Sequence, residues 1–142
     1  MSVNPIPKGY HTVTPYLIVN DAMTTIEFMQ KAFDAAVDHV SKNPAGKIMH
    51  AGLKIGDSML MMGEAMEGFP AMPCGLYLYV PDTDKLYHQA LAAGATSIME
   101  PADQFYGDRT TGVVDAEGNK WWIGTHIEDV SMEEIAKRMS KS

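Results

Sequence analysis

His50 is the side chain of this sequence best placed to move a proton. It stands in Lys47-Ile48-Met49-His50-Ala51-Gly52-Leu53-Lys54-Ile55, which reads as a strand. Alternation sends Ala51, Leu53 and Ile55 to a helix-covered face and His50, with Ile48, Gly52 and Lys54, to the other. An imidazole on that open face can act as general base or hydrogen-bond donor, or simply line a wall. A second group lies in Glu100-Pro101-Ala102-Asp103-Gln104-Phe105-Tyr106-Gly107-Asp108-Arg109. Arg109 can clamp an anionic or planar ligand, and Tyr106 can stack or exchange a hydrogen bond. The alternative is an Asp108–Arg109 or Glu100–Arg109 pair that only fixes the loop. His11, His39, His88 and His126 read as surface or packing residues.

Other chemistries lack their motifs. There is no Gly-x-Gly-x-x-Gly or Gly-x-x-x-x-Gly-Lys phosphate loop, no Gly-x-Ser-x-Gly elbow and no methyl-donor motif. The single cysteine, Cys74, excludes an intrachain disulfide and a cysteine-based zinc site. The formal charge of −7 argues against nucleic acid or an anionic membrane as main partner. No apolar run approaches the roughly 18 residues of a membrane span. Met1 to Lys8 holds no apolar signal core, so cytoplasmic residence is expected. The 12 methionines among 142 residues suggest an adaptable core, cavity or interface.

The elements that must position these groups follow from periodicity and turn chemistry. Residues 1–11 read as an extended arm, and 12–19 as a strand with an edge or bulge at Pro15. Asn20 or Asp21 caps a helix to about Phe33, with Ile26, Met29 and Phe33 on one face. Strands are expected at 36–42, 47–55 and 59–62, the last two joined at Gly56-Asp57. Residues 63–73 read as a loop. Then come a strand at 74–80, a helix from Asp82 to Gly94, a strand at 96–100 and a loop at 101–109. Strands at 110–114 and 120–125 follow, and Ser131-Met132-Glu133-Glu134 opens a C-terminal helix.

The order repeats. Tyr16-Leu17-Ile18-Val19-Asn20-Asp21 matches Tyr77-Leu78-Tyr79-Val80-Pro81-Asp82, and Gly56-Asp57 matches Gly118-Asn119. The chain therefore reads as a single α+β domain, 1–142, of two βαβββ modules. Module one spans about 12–63, a linker 64–73, module two about 74–127, and a terminal helix about 131–139. A half of about 60 residues is marginal alone, and packing two together covers their faces and edges.

These units resemble the vicinal oxygen chelate superfamily, which includes glyoxalase I, bleomycin-resistance proteins and extradiol dioxygenases. The similarity is closer to its PhnB-like branch. It rests on Gly9 to Val19, Lys47 to Ala51, Ile55 to Ser58, Glu100 to Arg109 and Trp121-Trp122-Ile123-Gly124-Thr125-His126. The resemblance implies a curved mixed sheet around a cavity, formed by the face that carries His50. It also implies four metal-ligand positions, which here are Thr14, Gly75, Leu60 and Trp122. None is a His or a carboxylate, so no metal and no other cofactor is expected. Tyr16 and Tyr77 share parity with Thr14 and Gly75 and are expected inward, with Trp122, as an aromatic wall. The resulting expectation is a metal-free cavity for a small, partly planar organic molecule. Its lining would come from Thr14, Tyr16, Leu60, Tyr77, Glu100, Arg109 and Trp122, with His50 and Tyr106 as candidate catalytic groups. The alternatives are a metal-dependent lyase, isomerase or dioxygenase with a rearranged site using His50 and Glu100, or a metal-free acid/base enzyme. A homodimer is expected, because module pairing in this superfamily often extends across chains.

Overall fold

A computed structural model describes residues 3–141. Met1 and Ser2 of the expected arm lie outside the described residues. Module one contains β1 (Tyr16–Val19), α1 (Ala22–Phe33), β2 (Ala36–Lys42), β3 (Ile48–Ile55) and β4 (Ser58–Glu64). Module two contains β5 (Gly75–Tyr79), α2 (Thr83–Ala92), β6 (Thr96–Asp103), β7 (Asp108–Val114) and β8 (Lys120–His126). A last helix, α3, covers Met132–Ser140. The strands form two four-stranded mixed sheets, ordered β1-β4-β3-β2 and β5-β8-β7-β6, rather than one continuous sheet. The outer edge of β1 is occupied by the segment after β4, where the Met72 amide donates to the Ile18 carbonyl at 3.0 Å.

The repeat extends to individual hydrogen bonds. Asp21 caps α1 by accepting from the Thr24 amide, and Asp82 caps α2 by accepting from the Lys85 amide. The first-turn amide of Ala22 then donates to Glu64, and its counterpart at Thr83 donates to Thr125. Across each parallel pair Tyr16 lies beside Met61 and Tyr77 beside Trp122. The hairpins differ. Ile55 pairs with Ser58 across a two-residue turn, whereas Val114 pairs with Lys120 across five residues.

One core joins the modules. Leu17, Val19, Ile26, Met29, Leu53 and Met62 of module one pack in a single cluster with Val113, Trp121 and Ile123 of module two. The Phe33 and Trp121 rings meet at 4.9 Å. Gln89 donates to the Ala32 carbonyl, and Glu117 accepts from the amides of Asn20 and Asp21. Among the described residues, no helix is long and apolar enough to cross a membrane.

Several element boundaries differ from the sequence expectation. β1 begins at Tyr16 rather than residue 12, although the Pro15 carbonyl already accepts from the Met61 amide. β4 continues to Glu64. β6 runs through Pro101 to Asp103, which is possible because β6 is an edge strand and an edge residue can lack its N–H. The expected loop at 101–109 shrinks to the turn 104–107, where Gly107 takes φ of 103° and its amide donates to the Gln104 carbonyl.

Candidate functional site

On module two, the strand faces turned away from the helices form a pocket of about 330 Å³. Tyr77, Met99, Thr110 and Trp122 line it from the four strands, and Gln104 and Tyr106 from the β6–β7 turn. The rings lie flat because glycines face them. A Cβ built on Gly112 would stand 2.5 Å from Trp122 ring carbons, and one on Gly124 would strike Tyr77. Module one repeats the device, with Tyr16 across Gly63 and His39 across Gly52. Glycine inside a strand marks such close approaches, so Gly52, Gly63, Gly112 and Gly124 are the signal from which the ring-covered faces could have been found in the sequence.

Below the pocket, Asp108 is almost wholly buried and accepts from three partners. Tyr77 and Tyr79 donate their phenolic hydroxyls to it at 2.8 Å, and His126 Nδ1 lies 2.9 Å away. Burial pushes the Asp108 carboxyl up, but the bonds from His126, Tyr77 and Tyr79 outweigh it and hold it below the usual carboxylate range. Burial and the neighbouring carboxylate push the Tyr77 phenol well up, so it remains a neutral donor. His126 is raised by its bonds to Asp129 and Asp108. Tyr77 also shares a hydrogen bond with Thr110 at 2.7 Å. The network therefore fixes the orientation of one pocket wall.

The open face of module one carries a different group. His39 Nε2 stands 2.7 Å from His50 Nδ1, and His39 Nδ1 stands 2.9 Å from Asp38 Oδ2. The Tyr16 ring lies 5.8 Å from that of His50. His50 lies on the open face beside Tyr16, whereas Ile48, expected on the same face, is buried in the core because β3 carries an extra residue at Met49. The partner of His50, His39, read from sequence as a packing residue, was missed because β2 and β3 register cannot be deduced from spacing.

The structure brings together Tyr77, Tyr106 and Trp122 in the module-two pocket, and Tyr16 and His50 on module one. It separates the other expected lining residues. Leu60 turns the opposite way from the expectation. It pairs with Leu53, is buried in the helix-side core, and leaves Met61 as the open-face neighbour of Tyr16. Arg109 does not reach the pocket. Its guanidinium grips both oxygens of Asp84 at 2.7 and 3.0 Å and Asp103 at 3.0 Å, tying the start of α2 to β6 and β7. The Asp108 and Glu100 pairs weighed from sequence are replaced by these two carboxylates. Glu100 is exposed on β6 and absent from the pocket wall, since Met99 takes the inward position. Thr14 donates to the His11 carbonyl within the arm.

A larger groove of about 1250 Å³ runs along the outer edge of β5, between it and Pro15, Tyr16, Met59 and the β3–β4 turn. Much of its lining is strand edge and the backs of core residues such as Leu60 and Trp121. The smaller pocket is the one in which polar groups converge on an aromatic wall.

Residues 10–123 match the family model of the glyoxalase/bleomycin resistance protein/dioxygenase superfamily. The chain belongs to this superfamily. An uncharacterized protein of Mycobacterium bovis is 35% identical over 99% of this chain and 97% of its own length. Among solved structures, TioX from a Micromonospora species superposes with a TM-score of 0.71 at 22% identity, covering 82% of this chain and 99% of TioX. A PhnB protein from Bacillus cereus gives 0.61 at 17% identity, over 81% and 99%. These likenesses bear on the fold.

A divalent ion requires about three nitrogen, oxygen or sulfur ligands. The superfamily positions here hold Thr14, Gly75, Leu60 and Trp122, and the open-face neighbour of Leu60 is Met61. His50 and Glu100 lie on different sheets. Among the described residues no three His, Cys, Asp or Glu side chains gather as a ligand set. The side chains at these positions do not fit a divalent metal.

Proposed function

We propose that this superfamily member binds a small, partly planar organic molecule in the module-two pocket, without a metal. The observation that carries the reading is the wall of Tyr77, Tyr106, Trp122 and Met99 with Gln104 and Thr110 set into it. About 330 Å³ of space is the size of a small-molecule site. Planar ligands gain from offset stacking on Trp and Tyr, and two polar groups are enough to orient one. The Asp108 network supports this use, because a neutral, hydrogen-bonded Tyr77 keeps its ring in one place.

The test is calorimetric titration of the purified protein with a panel of planar aromatic compounds. Trp122→Ala should weaken any binder found by about tenfold, as loss of one aromatic platform worth about 1.5 kcal/mol implies. Binding unchanged by Trp122→Ala and Tyr106→Ala would place the ligand elsewhere. Stoichiometric, tightly held Zn, Ni, Fe or Mn on elemental analysis would overturn the metal-free reading.

The same reading includes a homodimer. The outer edge of β5 borders an open groove, and a strand edge left unpaired is a place for a second chain. Light scattering at micromolar concentration should give twice the 15.6 kDa chain mass, and a monomer mass would refute it.

A further inference from the structure

We propose that Asp38, His39 and His50 form a proton relay on module one, in which His50 Nε2 takes a proton from a weakly acidic small molecule. The inference goes beyond the pocket on module two and does not depend on it.

The direction of the relay follows from its end. The Asp38 carboxylate can only accept, so His39 carries its hydrogen on Nδ1 and presents the lone pair of Nε2. His50 Nδ1 lies 2.7 Å from that lone pair and must donate to it. With both rings neutral, His50 is left with an unprotonated Nε2. The two ring planes are 12° from parallel with centroids 4.9 Å apart, so the short N···N line runs between rings of nearly shared orientation. In hydrolytic triads a carboxylate fixes the tautomer and aim of the base directly; here His39 stands between Asp38 and the base and passes the same constraint on.

Backbone irregularity supports the assignment independently. Consecutive strand residues normally face opposite ways, which would separate Asp38 from His39. A bulge between Val37 and His39 inserts Asp38 as the extra residue, and this brings its carboxylate onto the His39 ring. Module two has the equivalent irregularity between Ser97 and Met99, where the inserted residue is Ile98. There the counterparts of His39 and His50 are Met99 and Thr110, both lining the aromatic pocket. The same place in the fold therefore holds a pocket wall in one module and titratable groups in the other. The further groups on this face are Tyr10 of the arm, Tyr16 of β1 and Lys54 of β3, none of them an acid that would compete for His50.

In the proposed step the Nε2 lone pair of His50 forms an N–H bond while the X–H bond of the ligand breaks. The electron pair stays with X, and the new imidazolium donates its Nδ1 hydrogen to His39, whose charge partner is Asp38. No metal, oxidant or reductant enters the balance.

Two measurements on the full chain test it. Nitrogen-15 NMR of the unmodified protein at mildly alkaline pH should show the Nδ1–H tautomer for both His39 and His50. An Nε2–H tautomer on His50 would overturn the proposal without any variant. The second uses 5-nitrobenzisoxazole, a planar probe whose ring opens when a base removes its C–H proton, leaving a nitrile and a coloured phenolate. The wild-type rate of ring opening should stand clearly above the buffer background. It should fall about a hundredfold in His50→Ala, within the usual span of general-base catalysis. His39→Ala should lower kcat with little change in KM and alter the pH profile, and His39→Gln, whose amide oxygen accepts from Nδ1–H, should recover part of the rate. His88→Ala, on α2, should leave it unchanged. Equal rates for wild type and a folded His50→Ala protein would overturn the proposal.

Discussion

At the scale of single residues, hydrogen-bond partners decide more than residue type. Arg109 was open to ligand or structural use, and the bidentate Asp84 contact assigns it to structure. His50 was legible because alternation along one strand sets its face. His39 was not, because its role depends on the register of a neighbouring strand and on a bulge. Asp108 was weighed from sequence only as a partner of Arg109, and it instead accepts from Tyr77, Tyr79 and His126 beside the pocket. Its effect on stability has a definite sign. Asp108 is held below the ordinary carboxylate value, so its contribution is complete above about pH 4 and is lost as pH falls through the depressed value. His126 is held above the ordinary imidazole value, so its contribution is complete below about pH 6.5 and is lost as pH rises through the raised value. Thermal melting against pH should therefore fall off on both sides of that window. The alkaline side should be shallower, because His126 is half exposed and screened by solvent. Asp108→Asn should reduce the acid-side slope, with Asp21, Asp84 and Glu128, which are also held below the ordinary carboxylate value, keeping the remainder. A profile identical to wild type would show that the three donors do not stabilise the carboxylate.

At the scale of elements, the order of strands and helices was readable throughout, because the helix caps, glycine turns and apolar periods agree with one another. What could not be read was where an edge strand stops. Pro101 signals a break when considered alone, and only the position of β6 at the sheet edge makes it harmless. Leu60 shows the related limit. A one-residue error in counting from a turn reverses every side chain of a strand, and the four-residue count from Gly56 named Leu60 where the open face carries Met61. The β7–β8 hairpin is organised by Asp115, which accepts from the amides of Glu117 and Asn119 and from Trp121 Nε1. Trp121→Phe should cost about 1–3 kcal/mol by removing one buried donor. Trp121→Ala should cost about 3–5 kcal/mol, since it also empties a fully buried site. Denaturant titration of the two variants separates the hydrogen bond from the packing, and equal losses would show that the hydrogen bond alone matters.

At the scale of the molecule, the repeat was legible in matched sequence, but its division into two sheets was not, since it depends on which segment covers the β1 edge. The modules meet through core packing between Phe33 and Trp121 and through Glu117, which accepts from the Asn20 and Asp21 amides just ahead of α1. Glu117→Ala should lower stability by about 1 kcal/mol, the net worth of exposed hydrogen bonds. The shared core should still unfold in one transition, as calorimetry can check. Two separated transitions would show that the clasp, rather than the core, couples the halves.

The unequal hairpins have a consequence for any rearrangement of the chain. The module-two turn is long enough to reach its neighbour, whereas Gly56-Asp57 is only a two-residue turn. A tandem of two copies of module one would reproduce every strand and still leave the Asn20 and Asp21 amides facing water. The halves are alike in architecture but not interchangeable in order.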